Sequence, residues 1–181
     1  MNVDQAIRER RTIGAFTNQP VPRQEVEDLI EAATWAPNHK HTEPWRFHVV
    51  AGEARAALAD AIVAEAEAGG VEYKKDPRGK LMRSPQFIAV TQRAVTDDPV
   101  RDREDYAAVC CAVQNLMLAA HARGLATKWS TGALVESDAA KRWFGLEPQD
   151  RIVAYIYLGY APENVRIPPA ERQPAVVEWR N

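Results

Sequence analysis

The chain has 181 residues, 46% hydrophobic and 27% charged, which is the balance of an ordinary globular protein folding as one compact unit over 1–181. A formal net charge of only -2 argues against a nucleic-acid surface or an acidic solvating tail. The N-terminus "MNVDQAIRERR" lacks the apolar stretch of a secretory signal, and the longest uncharged run, Tyr106 to Ala120, is shorter than the roughly 20 residues that span a membrane.

Residues 2–10 read as a short helix. Pro22 suits a first helical turn, and Val26, Leu29, Ile30 and Ala33 follow at helical spacing. A second helix is therefore expected over 22–35, stopped by Pro37. "RFHVVA" (46–51) is strand-like, and the Ala-rich stretch 53–68 is helical up to Gly69 and Gly70. Residues 71–84 are basic and irregular and are expected to form a mobile loop. "QFIAVTQ" (86–92) is a second strand.

The longest predicted helix runs from Asp102 to Arg123. Tyr106, Val109, Cys110, Val113, Leu116, Met117 and Ala120 form one apolar face, and Ala107, Cys111, Leu118 and Ala119 leave the other poor in charge. A helix apolar nearly all round is buried in a core or an oligomer interface. The adjacent Cys110 and Cys111 cannot staple distant segments, so a reducing cytoplasm is expected.

Gly124 ends that helix, strand-like "LATKWS" follows, and Ser137 to Phe144 reads as a small helix. "RIVAYIYLG" (151–159) is a strand buried on both faces. The proline-rich tail finishes in strand-like "AVVEW", an apolar run that has to be buried somewhere, a partner subunit being one place. Few strands separated by helices define an α+β or α/β layer arrangement around one sheet.

Several chemistries are missing. There is no GxGxxG dinucleotide loop, no GxxxxGK[ST] phosphate loop, no GxSxG elbow, no HExxH and no CxxC. His39 and His41 form an HxH pair without further ligands at supporting spacing, so no metal site is expected.

Three segments carry candidate chemistry. Arg10, Arg11 and Thr12 offer two guanidiniums and a hydroxyl, a phosphate-binding set, although a solvated basic helix end looks the same. Trp35 and Trp45 bracket Asn38, His39, Lys40 and His41, a loop that either presents polar groups to a ligand or lies on the surface while its tryptophans pack. In "GLATKWSTGAL", Thr127, Ser130 and Thr131 supply hydroxyls, Gly132 permits close backbone approach and Trp129 supplies a flat face; a strand and turn read equally well.

Taken in order, these segments resemble the nitroreductase family of flavoproteins. "RRT" is similar to its Arg-Arg-Ser signature, and "APNHKHTEPW" to its Ala-Pro-Ser…Asn-x-Gln-Pro-Trp signature. "NLMLAAHARGLATKW" is similar to its long apolar helix ending in Ala-x-x-x-Gly-Leu, and "AYIYLGY" to its closing strand. The likeness runs from Ile7 to Pro162 and looks most like the compact single-domain branch.

The resemblance implies a homodimeric three-layer α-β-α sandwich with a central, mostly antiparallel sheet and one FMN per subunit at the dimer interface. Arg10, Arg11 and Thr12 would hold the FMN phosphate and ribityl end. Trp35, Asn38, His39, Lys40 and His41 would lie by the flavin from the other subunit, or the reverse, and Trp129, Ser130, Thr131 and Gly132 along its other edge. The arm 163–181 would pack on the partner.

His41 and Glu43 depart from the family's asparagine and glutamine, and Arg166 and Arg172 match its late phosphate-binding cations by charge only. The implied activity is ping-pong hydride transfer from NADPH or NADH through FMN to a small flat acceptor, a nitroaromatic or a quinone. The alternatives are a non-enzymatic FMN-binding or interaction protein, a specialised flavin enzyme on the same fold, and a metal-dependent hydrolase using His39 and His41.

Overall fold

The computed structural model describes residues 1–69, 72–167 and 171–180. Helix α1 (Val3–Glu9) is capped by Asn2, whose side chain accepts the Gln5 N–H at 2.8 Å. Helix α2 (Arg23–Thr34) buries Val26, Leu29 and Ala33, as their spacing requires. After Pro37 a short 3-10 turn (His39–His41) leads into strand β1 (Trp45–Ala51). Helix α3 (Glu53–Glu67) buries Leu58, Ala59 and Ile62.

The expected loop 71–84 contains a helix, α4 (Pro77–Leu81), although Val71 itself lies outside the described residues. Asp76 caps it, accepting the Arg78 and Gly79 N–H groups, and Pro77 starts it with a preset φ. Burial of Pro77 and Leu81 fixes this single turn despite its charged surface.

Strand β2 (Gln86–Gln92) is followed by α5 (Pro99–Ala122), which starts earlier than its hydrophobic spacing suggests. Asp98 caps it through the Arg101 N–H at 3.0 Å, and Pro99 occupies its first turn. Strand β3 (Ala126–Ser130), a 3-10 turn (Ala133–Val135), helix α6 (Asp138–Trp143) and strand β4 (Arg151–Gly159) complete the fold.

The four strands run in the order β1-β2-β4-β3, and every neighbouring pair is antiparallel. Strand β2 is buried throughout and β4 from Ile152 to Gly159, because helices cover both faces. On one side Leu29 of α2 and Val109, Val113 and Leu116 of α5 pack with Ile88, Val90 and Ile156. On the other, Leu58 and Ile62 of α3, Leu81 of α4 and Ala140 of α6 pack with Phe87, Tyr155 and Tyr157. Successive strand residues thus feed opposite layers, which is the expected three-layer sandwich.

Two further readings need correction. On α5, Tyr106 is exposed, whereas its neighbour Asp105 is only 2% exposed. In the tail, residues 171–180 form no strand, and Val176 and Trp179 are exposed. "AVVEW" has strand-forming residues but pairs with no strand among the described residues. Residues 168–170 and 181 of the arm lie outside the described residues. Among the described residues, no helix is long and apolar enough to cross a membrane.

Candidate functional site

The first and third sequence segments meet. The chain leaving α1 passes alongside the start of β3: Thr12 forms a parallel bridge with Thr127, and the Ile13 N–H donates to the Thr127 carbonyl at 3.0 Å. Arg10 and Arg11 are thereby placed at the beginning of β3. The Arg11 Nη1 turns back to the carbonyls of Arg8 (2.6 Å) and Arg10 (2.9 Å). The Arg10 Nη1 is buried and has no hydrogen-bond partner among the described residues.

Arg172 joins this group. It lines a cavity of about 330 Å³ with Ile7, Arg8 and Arg11. Arg166 is exposed and makes no hydrogen bond or ion pair among the described residues. Burial, then Arg11 and Arg172, push the Arg10 guanidinium below its ordinary value. His121, in the last turn of α5, has its Nε2 buried and unpartnered as well. Burial together with Arg10 and Arg11 holds its imidazole low, against the opposing pull of Glu9. Buried unpaired donors among like charges are the arrangement that an anion relieves.

From Thr127 to Thr131 the chain advances about 13 Å along β3. Thr131 and Gly132 then open onto a cavity of about 590 Å³ that Tyr106, Glu136, Lys141 and Arg151 also line. Gly132 has φ 85, a conformation that glycine alone adopts freely. Ser130 is half-buried, and Trp129 packs partly into the core on the α5 side instead of standing free. The arginine cluster and the Thr131–Gly132 turn therefore lie at opposite ends of β3.

Around Lys128 of β3 is a cationic group not singled out in the sequence. A Cβ on Gly14 would lie 3.4 Å from the Arg83 Nη1 and 3.4 Å from the Lys128 Cδ. Burial, then Arg83, Lys75 and Lys80, lower the Lys128 ammonium. The Arg83 guanidinium also sits over the Tyr157 ring, 5.8 Å from its centre. None of these four cations belongs to an ion pair among the described residues. The signal available in the sequence was the basic character of 71–84.

The second segment lies elsewhere. His39, Lys40 and His41 are exposed, and Trp35, 79% exposed, donates its indole N–H to Glu31 at 3.3 Å. Lys40, His41 and Glu43 all have positive φ (56, 50 and 45). The loop is moored by Thr42, whose hydroxyl donates to the Asp105 Oδ1 at 2.7 Å, near the start of α5. The arginine cluster lies at the opposite end, beside His121, and α5 rises about 24 Å between Asp105 and His121. One chain does not bring its histidine loop to its own arginine cluster.

The outer face of α5 bears on this gap. Ala107, Cys111, Gln114 and Ala122 are exposed and Leu118 is half-buried, so this stretch presents no charge. Among the described residues no group of His, Cys, Asp and Glu is arranged to hold a metal ion.

These features define an α-β-α protein with a cluster of cations beside the start of β3 and a cavity beyond its end. The nitroreductase family model matches residues 7–160, and the chain belongs to that family. A Bacillus subtilis (strain 168) protein provisionally named NAD(P)H nitroreductase YfhC is 33% identical over 87% of this chain and 83% of its own length. A nitroreductase-like family protein from Bacillus cereus superposes with a TM-score of 0.82 at 32% identity, covering 96% of this chain and 92% of that one. A nitroreductase from Bacteroides fragilis solved with bound FMN shares the fold, with a TM-score of 0.75 at 20% identity over 98% of this chain and all of that one.

Proposed function

We propose that this chain is an FMN-dependent NAD(P)H nitroreductase that works as a homodimer, with 1–181 acting as one domain. The observation that carries the cofactor assignment is the buried Arg10 Nη1 at the head of β3, which has no hydrogen-bond partner among the described residues. Relatives such as the Bacillus subtilis protein carry nitroreductase names, and a solved member of the fold holds FMN.

Arg10, Arg11, Thr12 and Arg172 hold the phosphate end of the cofactor, and Ser130, Thr131 and Gly132 line the end where its ring lies. Bound FMN supplies the redox chemistry, accepting a hydride from NADPH or NADH and passing electrons to a flat acceptor such as a nitroaromatic or a quinone. Around it the chain binds, orients and excludes water. One slot that takes first the reductant and then the acceptor needs no separate dinucleotide loop, consistent with the absence of GxGxxG.

The homodimer reading rests on two features. The clamp and the histidine loop are about 24 Å apart along α5 in one chain, so a partner has to supply the loop. The outer face of α5 from Ala107 to Ala122, which carries no charge, is the surface on which a second copy of that helix packs without desolvating ions. In the dimer, Trp35 and the Asn38–His41 loop flank the partner's ring, and the 163–181 arm buries Val176 and Trp179 on the partner.

The test is a visible spectrum. Purified protein is expected to be yellow, to bleach anaerobically with NADPH or NADH, and to regain colour on adding nitrobenzene. A colourless protein that cannot be reconstituted with FMN overturns the assignment. A yellow protein that no nicotinamide bleaches supports the non-enzymatic alternative.

A further inference from the structure

The loop that carries His39, Lys40 and His41 holds itself in an unfavourable shape. Three of its residues, none of them glycine, have left-handed φ values: Lys40, His41 and Glu43. Such conformations persist only where surrounding contacts over-determine them, and they concentrate where a chain must present groups in one geometry. Here the contacts form one network. The Asn38 Oδ1 accepts the Glu43 N–H at 2.7 Å, and the Asn38 Nδ2 donates to the Thr42 hydroxyl at 3.0 Å. The Thr42 hydroxyl in turn donates to the Asp105 Oδ1 at 2.7 Å. Asp105 is 2% exposed and is held by Arg101, whose Nε reaches the same oxygen at 3.3 Å.

Asp105 is thus a buried carboxylate on a helix that is otherwise apolar on that side, with Ala108, Val109 and Ala112 the next buried residues along it. Its contact with Thr42, remote in sequence, accounts for its position. A carboxylate acceptor suits a hydroxyl that must stay fixed, because charge-assisted hydrogen bonds are shorter and stronger than neutral ones.

We propose that Asp105 is a positioning residue: through Thr42 it locks the 38–43 loop in its left-handed form and sets where the histidines stand in the partner's ligand slot. The inference rests on the reading that this loop completes the partner's flavin site. It adds a mechanical link to that reading. The loop is moored to α5, the helix whose outer face forms the proposed interface, as well as to β1, where the Arg46 Nη1 donates to the Glu43 carbonyl at 3.3 Å. Dimer packing and loop placement are therefore set by the same element.

The test uses the FMN-reconstituted homodimer of wild type, Thr42→Val and Thr42→Ser. Valine keeps the shape of threonine and removes the hydroxyl, and serine restores it. Trypsin cleavage after the exposed Lys40 is expected to be roughly tenfold faster or more in Thr42→Val and near wild type in Thr42→Ser, an effect read on the protein without turnover. The KM for NADPH and for nitrobenzene is expected to rise on the order of tenfold with kcat within about twofold, the split expected when only positioning of bound ligand is lost. FMN affinity is expected to stay within about threefold, since the phosphate clamp is untouched.

Wild-type cleavage and KM in Thr42→Val overturn the proposal. Faster cleavage with unchanged KM overturns it too, because the network is then only structural. Should Thr42→Val fail to fold, Asp105→Asn and Asp105→Ala replace it. Asparagine keeps a neutral acceptor for Thr42 but gives up the charge that also holds Arg101, and is expected to fall between wild type and alanine in cleavage and KM, while alanine is expected to match the Thr42→Val pattern; equal behaviour of the two overturns the proposal. A wild-type protein that binds no FMN defeats the underlying cofactor reading instead, whatever the Lys40 cleavage rates show.

Discussion

Thr12 and Thr127 form a parallel bridge that joins the end of α1 to the start of β3, and this one backbone contact fixes where two arginines stand. Arg11 spends its Nη1 on the carbonyls of Arg8 and Arg10, while Arg10 leaves a buried Nη1 without a partner among the described residues. Arg10→Ala is therefore expected to weaken FMN binding more than Arg11→Ala does. Loss of a charged hydrogen bond of about 1.5–3 kcal/mol corresponds to roughly a 10- to 150-fold rise in Kd. Fluorescence titration of FMN into the apo variants measures it, with thermal melts as the control for folding. The reverse order of the two variants contradicts the assignment of Arg10 as the main phosphate donor.

His121 adds a pH dependence. Its imidazole is held below the ordinary value by burial and by Arg10 and Arg11. Because the folded value is lowered, its contribution to apo stability is full above the ordinary histidine value near 6.5 and is lost as pH falls below it. A phosphate dianion in the clamp raises the value, so binding takes up a proton. FMN affinity is then expected to fall as pH rises from below the ordinary histidine value, and to lose much of that dependence in His121→Asn. Calorimetric titration at several pH values in buffers of different ionisation heat reads the proton uptake directly. No uptake in the wild type removes His121 from the site.

Leu118 sits half-buried in the uncharged outer face of α5, next to the exposed Ala107, Cys111, Gln114 and Ala122. Leu118→Glu places a charge where the proposed partner helix packs, and an unpaired charge in such a seam costs several kcal/mol. The variant is expected to sediment as a monomer and to lose FMN as well, although its own clamp is intact. A folded monomer that keeps wild-type FMN affinity shows that one chain suffices.

Lys40 has φ 56, which costs a non-glycine residue about 1–2 kcal/mol. Lys40→Gly relieves that strain and also gives the unfolded chain more freedom, so a small gain in stability, about 1 kcal/mol or less, is expected. The melting temperature should rise by no more than about 4 °C for a chain of this size. A clear loss of stability means that the Lys40 side chain makes a contact that holds the loop.

Much of the fold was legible because strong local signals agreed with the final packing. Apolar spacing in α2 and α5, glycine and proline stops, and β-branched runs in β2 and β4 all point the same way as the burial. Helix α4 was hidden because its five residues are mostly polar, and its stability comes from the Asp76 cap and from Leu81 reaching the core. "AVVEW" carries strand propensity without a strand to pair with among the described residues, a limit that propensity alone cannot show.

The site was legible in part. Arg10, Arg11 and Thr12 do meet β3, but the meeting depends on a tertiary bridge. The cationic group of Lys128 and Arg83 joins residues far apart in the sequence around Gly14. Asp105 is invisible as a functional candidate until Thr42 is found beside it. The distance between clamp and histidine loop follows from the length of α5, which no motif records.

Sedimentation velocity followed at the flavin absorption band tests most directly whether two chains jointly enclose the cofactor. The expected result is a single coloured boundary at the mass of two chains, holding one FMN per chain, with no colour in any monomer present. Flavin travelling with single chains, or a dimer that sediments colourless in excess FMN, contradicts it.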